Sequence, residues 1–192
     1  ARDLAPQLRA LLAQQNWRPG DLSAVVVSRG PGSYTGLRVG LMSAKTLAWA
    51  TGCRLLGIGT FAAIALQAPP TALRLEVLAD AQQNLVYAQG FARSAGQEPW
   101  REVAPLRIVP LADWNAAAAP ETWVTGPALE LHADRLPAQV RLVPREDWLP
   151  RPASLLALGL ERWRRDESDD PFSLEPLYLR PSNAEENWAK RG

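Results

Sequence analysis

A single cysteine and a single histidine leave this 192-residue chain little with which to build a metal centre or an activated nucleophile. Zinc sites draw three or four ligands from Cys, His and carboxylates at short spacings, and one of each soft type excludes them. Cys53 has no partner for an internal disulfide, which fits a reducing, cytoplasmic setting; it reads as buried packing. Triad chemistry needs nucleophile, base and orienting group together, and His132 sits in ALELHADRL apart from any serine or carboxylate motif. It reads as a structural or solvent-facing side chain, and no catalytic residue is assigned. Asp80, Asp169 and Asp170 could touch magnesium, but isolated carboxylates are ordinarily solvated, so no metal is expected. Charge of one sign is lacking too: 21 basic and 20 acidic residues give +1, no field to recruit nucleic acid directly. No apolar run approaches the roughly 20 residues that span a bilayer, so no membrane partner is expected.

What is present is an ordinary globular composition, 47% hydrophobic and 21% charged, organised around residues 24–59. Ala24 to Val27 is an apolar, β-branched run of the kind found in covered parallel strands. A turn follows, Gly30-Pro31-Gly32-Ser33-Tyr34-Thr35-Gly36, in which two glycines permit positive φ and Ser33 or Thr35 can cap a helix. Leu37, Leu41, Ala44, Leu47 and Ala48 recur at helical spacing until Gly52, and Leu55 to Ile58 closes a βαβ unit. The turn misses the dinucleotide fingerprint by one position and lacks the Gly-Lys-Ser/Thr ending of a P-loop. It can attract an anion at the helix N-terminus, or simply admit the strand to the helix tightly. On the helix, Gly36, Gly40, Ser43 and Ala44 line up small side chains beside Leu37, Leu41 and Leu47. That face packs on a helix at 3–16, striped by Leu4, Leu8, Leu11 and Leu12, or the two helices form a platform for a second subunit.

Downstream, Thr60 caps a short helix ending before Pro69-Pro70, the expected lobe boundary. Leu73 to Arg93 reads as a β-hairpin around Gln82-Gln83-Asn84, followed by a strand at 101–109 and a helix at 111–118. A strand at 122–125, a helix at 128–135 and a strand at 140–143 come next. Ser154 caps a last helix, 155–165, with Leu156, Leu160 and Trp163 on one face. The charged, proline-broken remainder reads as extended near Pro176 to Arg180. The expected domains are thus 1–69, 70–180 and a tail at 181–192, an α/β protein with mixed sheets.

GPGSYTGLRVGLMSAKTLAWATGCRLLGIGTFAAIA closely resembles the signature segment of the bacterial TsaB (formerly YeaZ) family. DAQQNLVYAQGF resembles that family's Asp-Ala hairpin, and EPLYLRPSNAEENW its C-terminal Pro-x-Tyr-Leu-Arg segment. The resemblance implies a two-lobe actin-like fold (ASKHA, ribonuclease H-like). It implies a non-catalytic relative of TsaD, the transferase that places threonylcarbamoyl on the adenosine beside the anticodon of ANN-decoding tRNAs. The implied partners are a TsaD-like transferase and a TsaE-like ATPase. ATP is used by the complex rather than held by this chain alone, and tRNA is met only through the complex. TsaD-like enzymes carry a metal-binding histidine pair on the first helix of this lobe; Asp3 to Asn16 has none. Family members begin with a β-meander ahead of that helix, on the order of 30 residues at usual strand lengths, so the chain is expected to be a fragment lacking the lobe's first strands. Docking is expected through Leu8, Leu12, Leu37, Gly40, Leu41 and Ala44, with Arg38 and Lys45 at the rim. The competing expectations are an independent actin-like ATPase or peptidase, which needs catalytic residues, and a homodimer using the same face.

Overall fold

The computed structural model describes residues 3–95 and 98–179. The chain forms two compact units, one built from residues up to Gly59 and from Leu155 onward, the other from Thr60 to Ser154. The expected boundary at Pro69-Pro70 and the tail at 181–192 divide the chain differently, and the tail lies outside the described residues. The division falls ahead of α3 (Thr60–Ala65) because Phe61, Ile64 and Ala65 pack with Leu75, Val77 and Phe91 of the unit that follows.

In the first unit, α1 (Leu4–Gln14) precedes β1 (Ala24–Gly30), which runs parallel to β2 (Arg54–Gly59) across the connecting helix α2 (Tyr34–Thr51). Leu41, Ala44 and Ala48 of α2 meet Cys53, Leu55 and Leu174 in one core. Gly52 ends α2 in the left-handed conformation at φ 73°, as its position suggests. The helix α6 (Pro152–Arg164) begins two residues before the expected cap. Ser154 lies inside it, and its hydroxyl donates to Gln67 Oε1 at 3.0 Å rather than to a helix end. The face carrying Leu156, Leu160 and Trp163 is exposed, while Gly159 packs on Val26 so closely that a Cβ would lie 2.4 Å from it.

The second unit is a five-stranded mixed sheet in the order β5 (Arg101–Pro110), β4 (Leu85–Ala92), β3 (Arg74–Asp80), β6 (Trp123–Thr125), β7 (Arg141–Leu142). The β3–β4 pair is the expected antiparallel hairpin, from Arg74 opposite Ala92 to Asp80 opposite Val86. Alternation along β3 divides the packing: Leu75, Val77 and Ala79 face the α3 side. Leu78 faces the helices α4 (Leu111–Ala117) and α5 (Leu129–His132) with Val86, Trp114 and Val124. The helix expected at 128–135 is one α turn followed by a 3₁₀ turn at Ala133–Arg135.

Candidate partner-docking face

The glycine turn is a steric device. Gly30 adopts φ 106°, and a Cβ there would lie 2.9 Å from Leu37 Cδ1, so only glycine passes between β1 and the start of α2. The Gly30–Pro31 bond is cis. Gly32 does not take a positive φ, and a Cβ there would make ordinary contact with Leu37. Ser33, not Thr35, is the cap: its Oγ accepts from the Gly36 amide at 3.3 Å, and its carbonyl from Leu37 N at 2.8 Å. Thr35 and Gly36 lie exposed in the first turn.

Of the eight residues expected to dock a partner, Leu8 and Leu12 lie on α1 and the other six fall on different sides of α2. Leu37 and Leu41 are buried at 9% and 3% exposure, Leu37 against Gly30 and Leu41 in the core with Cys53 and Leu55. Lys45 Nζ donates to the carbonyls of Leu174 at 3.0 Å and Phe172 at 3.5 Å, tying residues 172–174 along the helix. The Arg38 guanidinium lies 4.2 Å over the Tyr34 ring and donates through Nε to the Tyr178 hydroxyl at 3.0 Å. The expected rim residues thus bind the chain's own C-terminal segment. That segment is also held by Leu177 N donating to Arg29 O at 2.8 Å. Arg180 and the residues after it lie outside the described residues.

Leu8, Leu12, Gly40 and Ala44 do come together. With Leu4, Leu11, Trp17, Ser43 and Leu47 they line an apolar groove of about 560 Å³ between α1 and α2, floored by Val25, Val26 and Val27. α1 therefore does not close over the small-residue stripe. Nothing stands within 4 Å of where a Cβ on Gly40 would be. Leu4, Leu11 and Trp17 remain 39%, 56% and 54% exposed along the groove. The groove is thus an open apolar surface edged by large side chains, with a bare glycine on its wall. Leu4, Leu11 and Trp17 entered the sequence reading only as a stripe and a turn. Their apolar character was legible, but their exposure was not.

His132, Asp80, Asp169 and Asp170 each have polar partners of their own. His132 is 8% exposed, with Nε2 3.3 Å from Asp80 Oδ1 and Nδ1 3.3 Å from Arg135 Nη1. Arg135 can only donate, so Nδ1 accepts and the ring proton sits on Nε2, facing Asp80. Asp169 receives Arg162 Nη1 at 2.9 Å, Arg162 Nη2 at 3.1 Å and the Gly57 amide at 2.7 Å. Burial pushes its carboxyl up, but the Arg162 and Gly57 hydrogen bonds and the Arg162 and Arg29 charges outweigh it and hold it below the usual range. Asp170 accepts from the amides of Phe172 and Ser173, both at 3.1 Å. Among the described residues no group of three His, Cys, Asp or Glu side chains is placed to hold a metal ion. Among them, too, no helix is long and apolar enough to cross a membrane.

Comparison with known proteins returns TsaD- and TsaB-type relatives. Residues 1–121 match the family model for TsaD, tRNA N6-adenosine threonylcarbamoyltransferase. The tRNA threonylcarbamoyladenosine biosynthesis protein TsaB of Bacillus subtilis (strain 168) is 31% identical over 190 residues, 95% of this chain and 80% of that protein. A Pseudomonas aeruginosa structure described as similar to the peptidase YEAZ superposes with a TM-score of 0.74 at 26% identity, covering 94% of this chain and 84% of the other. YeaZ from Pseudomonas aeruginosa gives 0.77 at 24% identity, covering 93% and 83%, a likeness of fold. The α/β architecture is the actin-like one that the sequence resemblance implies.

Proposed function

The chain belongs to the TsaB/YeaZ family and serves tRNA threonylcarbamoyladenosine biosynthesis with TsaD, and within that machinery we propose that it is a non-catalytic scaffold that binds and stabilises a TsaD-like transferase. The observation that carries the scaffold reading is the open groove between α1 and α2, whose wall at Gly40 admits a close helix approach. Burying apolar surface drives such an association at roughly 25 cal/mol per Å² removed from water. His132 and Asp80 lie 3.3 Å apart and Asp169 is held by Arg162, hydrogen bonds that suit a structural role for these side chains.

The same reading makes ATP a reactant of the assembled complex, handled by a TsaE-like ATPase, and brings tRNA to the chain only through TsaD. Work of this kind belongs in the cytoplasm. A homodimer through the same groove is the resting form that competes with TsaD, since one apolar face cannot serve two occupants at once.

The test is co-purification of this chain with the TsaD-like transferase of the same organism, then a tRNA threonylcarbamoylation assay with and without the chain. Modification that requires the chain, while the chain alone modifies nothing, is the expected result. Modification that proceeds equally without it, or ATP hydrolysis by the isolated chain, overturns the scaffold reading.

A further inference from the structure

The second unit holds a cavity of its own, of about 580 Å³, between the β3–β4–β5 surface and α4. Its floor is Gly90 on β4, opposite Glu76 on β3 and Ala104 on β5. The β4–β5 ladder is irregular on both sides of Gly90, the device by which strands re-aim neighbouring side chains. A Cβ at Gly90 would fall 2.7 Å from Glu76 Oε1 and 3.0 Å from Ala104 Cβ, so the bare glycine is what makes room for a carboxylate on this floor.

That carboxylate is only loosely answered. Glu76 Oε2 accepts from Arg107 Nη2 at 3.3 Å and from Trp114 Nε1 at 3.4 Å. Both are long beside the roughly 2.7–2.9 Å of a charge-assisted bond. Arg107 Nη1 is buried and has no hydrogen-bond partner, leaving half of a guanidinium fork unused beside an under-bonded acid. Arg74 and Asp113 add one charge of each sign to the lining, and Val103, Val109, Ala117 and Ala118 supply apolar wall.

We propose that this cavity binds a small zwitterion of the α-amino-acid class. Its ammonium meets Glu76, its carboxylate meets Arg107, and its side chain lies against Val103, Val109 and Ala117. An α-amino acid carries its two charges one carbon apart, which suits an acid and a guanidinium already touching each other. Two arginines against two carboxylates leave no net charge to favour a polyanion such as a nucleotide. A ligand with a single charge answers one member of the pair and desolvates the other, an unfavourable exchange. The binding is independent of the docking groove, which lies in the other unit.

The experiment is isothermal titration calorimetry of the full chain against glycine, L-alanine, L-leucine and L-phenylalanine, with leucinamide, N-acetyl-leucine and AMP alongside. Saturable binding of at least one amino acid is expected, weakened by about tenfold or more when either charged end is blocked, the usual consequence of leaving a buried polar group unpaired. Arg107→Leu should abolish it. Because that change also strips Glu76 of its partner, Ala117→Trp, at an exposed helix position, fills the cavity from its outer wall and should abolish binding with the charged pair intact. Failure of the folded chain to bind any of the four amino acids, binding that survives Ala117→Trp, or a preference for AMP overturns the proposal.

Discussion

Gly40→Leu separates folding from docking. Glycine in a helix interior costs about 1 kcal/mol relative to alanine, and leucine ranks close to alanine, so the change favours α2 by roughly 0.7–1 kcal/mol. Nothing lies within 4 Å of the new Cβ, so no clash in the free chain offsets that gain. For a chain of this length the melting temperature should rise by about 2–4 °C per kcal/mol. In the complex the sign reverses. A partner helix seated against Gly40 must yield to the new side chain, and overpacking a fitted contact costs typically about 1–3 kcal/mol. At 1.4 kcal/mol per tenfold, the Kd for the TsaD-like transferase should rise roughly 5- to 150-fold. The assay pairs a thermal melt of the free chain with calorimetric titration of the transferase, and Gly40→Ala serves as the intermediate step. A higher melting temperature with unchanged Kd would refute docking at this wall. A lower melting temperature would refute the open groove itself.

Lys45→Met removes the two bonds to the carbonyls of Phe172 and Leu174 and should cost about 0.5–1.5 kcal/mol in urea unfolding while leaving the transferase Kd unchanged, because Lys45 serves its own chain. Gly30→Ala forces a Cβ into φ 106° and against Leu37, and should cost about 1–3 kcal/mol by the same measurement. Asp169→Asn leaves Arg162 with Glu167 as its remaining acidic partner and should cost about 1.5–3 kcal/mol at neutral pH. The folded Asp169 carboxyl lies below its ordinary value, so its contribution is fully present above pH of about 4 and disappears as pH falls through the depressed value. Urea titrations from pH 7 to 2 should therefore show a shallower acid loss in Asp169→Asn than in the parent chain; parallel curves would contradict the assignment.

How much of this was legible in the sequence depends on the range of the interactions. The β1–α2–β2 unit follows from local signals: the apolar run at Ala24, the glycine at 30, the cap at Ser33 and the stripe through Leu37, Leu41, Ala44 and Ala48. The α2 side chains go where their period puts them, whereas Ala24 to Val27, read as a covered strand, is only half-buried in a two-stranded sheet whose valines line the groove. The last helix shows where period alone stops. Leu156, Leu160 and Trp163 form a sound stripe, but β1 demands a side chain small enough for Val26 to touch the helix, and Gly159 on another face meets that demand. Lys45 and Arg38 look like solvated positions on a helical wheel. Their partners lie well over a hundred residues later, and no local pattern names them. The Glu76–Arg107 pair likewise needs the register of three strands before its two members meet.

The faces of α2 explain why the docking groove, rather than the glycine turn, carries the functional argument. One face is spent on the core through Leu41, Ala44 and Ala48, and a second on the C-terminal segment through Arg38 and Lys45. The turn at its start is occupied by fitting Leu37 beneath Gly30 and capping with Ser33, two local duties that account for the glycine and the serine without a ligand. Besides the exposed Met42 and Trp49, α2 presents a wall at Gly40, Ser43 and Leu47, which faces open apolar space that α1 flanks but does not fill. Gly40 costs helix stability, and among the described residues nothing stands within 4 Å of its Cβ position to offset that cost. On the proposed docking, a partner backbone in the groove recovers that cost, so the free chain and the complex should respond to Gly40→Leu with opposite signs.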